Sequence, residues 1–131
     1  MDRNMMDKDM SMDMSMGMSM GMYPNLVQMI NNCEVTCEHM THHLVMMKLV
    51  TTRMTQFGLL RDCSDICGLA ARFISRGAYF SKVIADVCSE ICYTCGNECL
   101  RYPDEMSQNC ANICLECAKH CRQFSRGTQA K

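Results

Sequence analysis

Cysteine carries most of the reactive chemistry in this chain. Twelve cysteines occur in 131 residues, and eight fall into two identical runs: Cys88, Cys92, Cys95 and Cys99, then Cys110, Cys114, Cys117 and Cys121. Both runs read C-x-x-x-C-x-x-C-x-x-x-C, with offsets 0, 4, 7 and 11. The same template recurs half complete as Cys33 and Cys37 followed by Met40 and Leu44, and as Cys63 and Cys67 followed by Ala70 and Ile74. A thiolate acts either as a nucleophile or as a soft metal ligand. The chain shows no nucleophile–histidine arrangement, paired acid and base, glycine-rich phosphate loop or basic patch, so an enzyme is not expected. Ligand chemistry is the better use of these sulfurs.

The spacing dictates the elements that must hold them. At about 100° per residue, the four offsets stay within one narrow stripe of a helix, whereas a strand would scatter them over both faces. The cysteines thus occupy positions that normally hold Leu or Ile in a bundle. Leu26, Met29, Met47, Leu59, Ile84, Met106 and Phe124 extend the stripes towards the helix ends. Tyr23-Pro24 opens the folded part, with proline suited to a first helical turn. Thr51-Thr52, Arg76-Gly77 and Tyr102-Pro103-Asp104 interrupt it. Four helices are expected, over 24–49, 53–76, 78–101 and 104–125, each about 35 Å long.

Laying these helices side by side gives one register. A hairpin about Pro103-Asp104 sets Cys99 level with Cys110, then Cys95 with Cys114, Cys92 with Cys117 and Cys88 with Cys121. A turn at Gly77 sets Cys67 by Cys88 and Cys63 by Cys92, and one near Thr51 sets Cys37 by Cys63 and Cys33 by Cys67. Two full layers result, Cys33/Cys67/Cys88/Cys121 and Cys37/Cys63/Cys92/Cys117. Beyond them lie Met40 and Leu60, then Leu44 and Gln56. The expected fold is all-α, an antiparallel up-down-up-down four-helix bundle over 23–131.

Residues 1–22 differ. Met alternates with Ser, Asp or Gly from Met10 to Met22, which makes a poor helix and no core, so a disordered Met-rich N-terminal arm is expected. The formal charge of −1 gives no general attraction to nucleic acid or anionic membrane. No apolar run approaches the roughly 20 residues of a membrane span. Acidic residues and Ser/Gly interrupt the N-terminal methionines, so no secretory leader is read and a cytoplasmic protein is expected.

In a reducing cytosol such a cysteine count points to metal rather than to a disulfide scaffold. Twelve thiols along a bundle axis also displace the Leu and Ile that would fill the space better. Zinc usually takes four ligands from pairs joined by loops, and iron–sulfur runs likewise sit on loops. Cu(I) accepts two or three sulfurs, and a thiolate can bridge two ions, so a column of thiols suits several Cu(I) ions. About one Cu(I) per thiolate would cancel a buried charge that is otherwise prohibitive. The alternatives are a zinc- or iron–sulfur-binding bundle and a disulfide-stapled structural bundle. The last is disfavoured because helix positions four apart are poorly placed for disulfides.

With its two complete cysteine repeats and two half-repeats, the sequence over about residues 24–125 resembles the bacterial copper storage proteins. The resemblance implies Cu(I) held along the bundle core, copper storage, metal access at one end and frequently a homotetramer. It makes all twelve cysteines candidate ligands: Cys33, Cys37, Cys63, Cys67, Cys88, Cys92, Cys95, Cys99, Cys110, Cys114, Cys117 and Cys121. Met40/Leu44 and Ala70/Ile74 stand where further cysteines would fit, which lowers the expected capacity. Met40, Met47 and Met106 are candidates for a soft metal-access path at the end with the first and third turns. His39, His42, His43 and His120 read as surface residues.

Overall fold

In a computed structural model, which describes residues 23–127, the chain forms four helices in sequence. These are α1 (Pro24–Met46), α2 (Met54–Ser75), α3 (Ser81–Cys99) and α4 (Glu105–Ser125). Neighbours in sequence pack together and α4 closes back on α1, which is the antiparallel up-down-up-down bundle the periodicity implies. The Met-rich arm over 1–22 lies outside the described residues.

Local chemistry sets the ends. Pro24 sits in the first turn of α1, where its missing N–H costs nothing. Asp104 caps α4: its carboxylate accepts the Ser107 backbone N–H at 3.0 Å, satisfying a donor that the first turn leaves free. Gly77, at φ 63°, closes α2 with the Ala78 N–H donated to the Phe73 carbonyl at 2.9 Å, a left-handed cap that glycine adopts without strain. Lys48 does the same for α1 at φ 59°, and the Leu49 N–H reaches the Leu44 carbonyl at 2.8 Å. The helices are therefore shorter than the pattern suggests at these links: α1 stops at Met46 rather than 49, and α3 begins at Ser81 rather than 78.

The interior has two different ends. Where the start of α1, the end of α4 and the α2–α3 link meet, Leu26, Ile30, Ile74 and Phe124 are buried, and Tyr23 stands edge-on to Phe124 at 4.8 Å. The other end holds Met40, Leu44 and Leu60, together with buried Gln56 and Ser107. Burial of the aliphatic side chains supplies about 1.5–3 kcal/mol each, and the thiols fill the middle. α3 and α4 approach closely at Gly96, where a Cβ would stand 2.7 Å from Leu115 Cγ. Of the residues read as extending the core stripes, Leu26 and Phe124 are buried. Met29, Leu59, Ile84 and Met106 are half-buried, and Met47 is 58% exposed. Met47 lies on the link just past the end of α1, so helical periodicity no longer governs its direction.

Candidate metal centre

All twelve cysteines are buried free thiols. Each repeat puts its sulfurs on the inward face of its own helix, and antiparallel packing turns four stripes into one column. Sulfur–sulfur approaches run along and across helices: Cys63 to Cys92 at 3.4 Å, Cys67 to Cys92 at 3.6 Å, Cys37 to Cys114 at 3.6 Å, and Cys88 to Cys121 at 3.9 Å. All are well beyond the roughly 2.05 Å of a disulfide bond.

Three clusters have every sulfur within 4.8 Å of the others: Cys33/Cys67/Cys92/Cys117, Cys33/Cys37/Cys63/Cys114 and Cys88/Cys117/Cys121. They share Cys33 and Cys117, so nine thiols form one connected set. Cys95, Cys99 and Cys110 belong to none of the three. Instead Cys99 accepts a hydrogen bond from Gln56 Nε2 at 3.5 Å, and Cys110 meets a crevice described below.

Most of the expected pairings are present: Cys67 by Cys88 at 3.8 Å, Cys63 by Cys92 and Cys88 by Cys121 as above, and Cys92 by Cys117 at 3.9 Å. The first helix keeps Cys33 with Cys67 and Cys37 with Cys63 within 4.8 Å, but it is offset against α4 from the expected layers. Cys33 approaches Cys63 and Cys114, both at 3.9 Å, and Cys37 approaches Cys114 rather than Cys117. Thus α1 is set about half a cysteine step further towards the Pro103 end. The cause is the seven-residue link 47–53. It closes α1 with one turn at Lys48 and then forms a second, with the Arg53 N–H on the Leu49 carbonyl at 2.9 Å, leaving slack that a sharp turn near Thr51 would not.

The thiols act on one another as acids. Cys92 is pushed up, by its hydrogen bond with Cys117 first and then by Cys33, Cys63, Cys67 and burial. Cys114 is pushed up by Cys110 foremost. Cys33 is pulled down chiefly by its hydrogen bond with Cys114, and Cys88 chiefly by that with Cys117. Burial opposes ionisation at all four. The column shares its protons, and a cation that replaces them removes the cost of buried negative charge.

A polar cluster covers the Cys99 end. Gln56 Nε2 also donates to Ser107 Oγ at 3.0 Å. Arg53 Nη1 donates to Asp104 Oδ1 at 2.9 Å, and its guanidinium lies 4.4 Å from the centre of the Tyr102 ring. Burial raises the Asp104 carboxyl, but hydrogen bonds from Ser107 and Arg53 outweigh it and hold it below the ordinary range. Sequence reasoning placed Gln56 at the end of the column without assigning it a role. Its signal was a long polar side chain on a core stripe.

Of the three methionines singled out, Met40 and Met106 line a crevice of about 200 Å³ between α1 and α4, together with His39 and Cys110. Met47 does not line it. His42 is exposed, His43 half-buried, and His120 pairs with Glu116 at 3.3 Å.

Several known proteins share this architecture. Residues 20–126 match the family model for copper storage proteins. A cysteine-rich protein of Bacillus subtilis, YhjQ, is 34% identical over 72% of this chain and 82% of its own length. The Cu(I)-bound structure of the copper storage protein BsCsp3 superposes with a TM-score of 0.74 at 28% identity, covering 79% of this chain and 98% of that one. The apo form of Csp3 from Bacillus subtilis gives 0.68 at 30% identity, over 76% and 95%. With a match spanning most of its length, on the same helices that carry the thiol column, this chain belongs to the copper storage protein family.

Proposed function

We propose that this protein stores Cu(I), binding many ions per chain through the thiolates of its core, and that it holds metal rather than turning over a substrate. The observation that carries this reading is the sharing of Cys33 and Cys117 between clusters. A structural zinc site usually closes on four ligands of its own, while a column of shared soft thiolates suits Cu(I). An iron–sulfur cluster needs cysteines spread around inorganic sulfide, and sulfurs 3.4–3.9 Å apart leave no room for it. All twelve cysteines, including Cys95, Cys99 and Cys110, serve as ligands in this reading.

Copper reaches the column through the crevice between α1 and α4. Thioethers of Met40 and Met106 are neutral soft donors that need no deprotonation. They stand beside Cys110, which is 1% exposed where the other eleven thiols are fully buried. Met47, 58% exposed, is at most an outer contact.

The protein acts in the reducing cytoplasm, where free thiols persist. No helix among the described residues is long and apolar enough to cross a membrane. It assembles as a homo-oligomer, a tetramer by family likeness. Phe80, just ahead of α3, and Val83 and Val87 on it leave an exposed apolar strip suited to a second copy. Sedimentation of the Val83→Asp/Val87→Asp variant tests this, since an unchanged mass would remove that face from the interface.

Anaerobic titration of the reduced apoprotein with Cu(I) against a competing chelator tests the function. The expected result is tight uptake of several ions per chain, on the order of the thiol count. Uptake of one or two, with stronger binding of zinc or iron, would overturn it.

A further inference from the structure

The thiol column is not uniform. Nine thiols form the connected clusters, and Cys95, Cys99 and Cys110 stand outside them at one end. That end is closed by an amide where the opposite end is closed by Leu26, Ile30, Ile74 and Phe124. Gln56 is fully buried. Its Nε2 is divided between Cys99 and Ser107, while Oε1 has no hydrogen-bond partner. A buried carbonyl without a partner is uncommon, and leucine would fill the position without that defect.

We propose that Cys95, Cys99 and Cys110 form an exchange compartment, distinct from the nine-thiol store, and that Gln56 is its positioning residue. This rests on the Cu(I)-storage reading. Three features separate the compartment from the store. Its thiols act on one another and on neighbours such as Cys114, but they join none of the groups whose sulfurs all lie within 4.8 Å of one another, whereas those of the store are packed along and across helices. Cys110 shares the crevice with the Met40 and Met106 thioethers, so an arriving ion passes from neutral to anionic sulfur. The Gln56 N–H donates to the Cys99 sulfur at 3.5 Å, giving that thiol a partner outside the column.

Thiols outside the tight groups leave room for an incoming sulfur to attack the metal, which is how Cu(I) moves between thiolates. The step is a ligand exchange without change of oxidation state. Cu(I) arrives bound to a donor thiolate and bonds to Cys110, whose S–H proton passes to the departing donor sulfur as the old Cu–S bond breaks. Transfer inward repeats this between thiols of the column, and release reverses it.

The test is withdrawal of copper from the fully loaded full-length protein by an excess of Cu(I) chelator, followed anaerobically by absorbance. Two phases are expected, the fast one carrying about a quarter of the copper, the share of three thiols among twelve. Cys95→Ser/Cys99→Ser/Cys110→Ser should abolish the fast phase and slow loading. Cys88→Ser/Cys117→Ser/Cys121→Ser should shrink the slow phase and leave the fast one. Gln56→Leu, which keeps the volume and removes both hydrogen bonds, should shrink the fast phase alone, because Cys99 is released into the column. A packing role would instead change both phases together through local unfolding. A single phase, equal effects of the two triple variants, or a Gln56→Leu effect shared by both phases would overturn the proposal. Should the first triple variant not fold, Cys110→Ser and Gln56→Leu carry the same decision. Total copper in the same experiment tests storage separately: many ions leaving in one phase would keep storage and remove the compartment.

Discussion

Replacing Cys92 and Cys117 together by serine strikes the centre of the store. Cys92 Sγ lies 3.4 Å from Cys63, 3.6 Å from Cys67, 3.8 Å from Cys88 and 3.9 Å from Cys117, and Cys117 is also 3.9 Å from Cys121. The double change cuts one four-sulfur cluster to two sulfurs and the three-sulfur cluster to two, while Cys33/Cys37/Cys63/Cys114 stays whole. Each buried thiolate needs about one cation to offset its charge, so capacity should fall by about two Cu(I) per chain. Serine is close to cysteine in volume, so packing survives. Each hydroxyl left without a good acceptor among the thiols costs about 1–3 kcal/mol. The expected result is lowered capacity by chelator competition, helix content unchanged by circular dichroism, and an earlier denaturant midpoint for the apoprotein. Unchanged stoichiometry would refute coordination in the core. Loss of helix content would show that these thiols are needed for folding rather than for metal.

Three further outcomes follow from particular contacts. Gly96→Ala puts a Cβ 2.7 Å from Leu115 Cγ and 3.2 Å from the Ala111 carbonyl and should cost about 1–3 kcal/mol. Gly68→Ala meets only the flexible end of Glu34 and should be neutral or gain up to about 1 kcal/mol from helix propensity. Urea unfolding of the two apoproteins makes the comparison. Asp104→Ala removes the α4 cap and the Arg53 ion pair and should cost about 1–2 kcal/mol. Because the folded carboxyl titrates below the ordinary range, its contribution is present above the unfolded pKa and is lost as pH falls through the folded one, so wild type and variant should converge in acid. Copper retention should weaken as pH falls, because protons compete for thiols such as Cys92 and Cys114, which the folded core pushes up. Chelator competition across pH should show it, and pH-independent retention would contradict thiolate ligation.

Much of the architecture was legible because its signals are local. The 0, 4, 7, 11 spacing is a helical stripe wherever it occurs, and Pro24, Gly77 and Asp104 mark boundaries through their own backbone and capping chemistry. The inter-helix pairings of α2, α3 and α4 followed from short links. The α1–α2 pairs Cys33/Cys67 and Cys37/Cys63 followed too, but the level of α1 against α4 did not, because a link of two successive turns leaves its axial offset free until side chains pack. Met47 was read as a core residue for a related reason: helical phase was extended past the Lys48 cap, where it no longer applies.

By itself, then, the sequence determined that thiols line one face of four helices and that these faces must meet, since covalent spacing and helical pitch leave no other arrangement. Only the tertiary structure decided which sulfurs share a cluster. It put nine thiols in tight groups and left three outside them, and it brought Gln56 to Cys99 and the Met40/Met106 crevice to Cys110. Those relations depend on the axial offset and seam between helices, which many weak contacts set together and no short stretch of residues encodes.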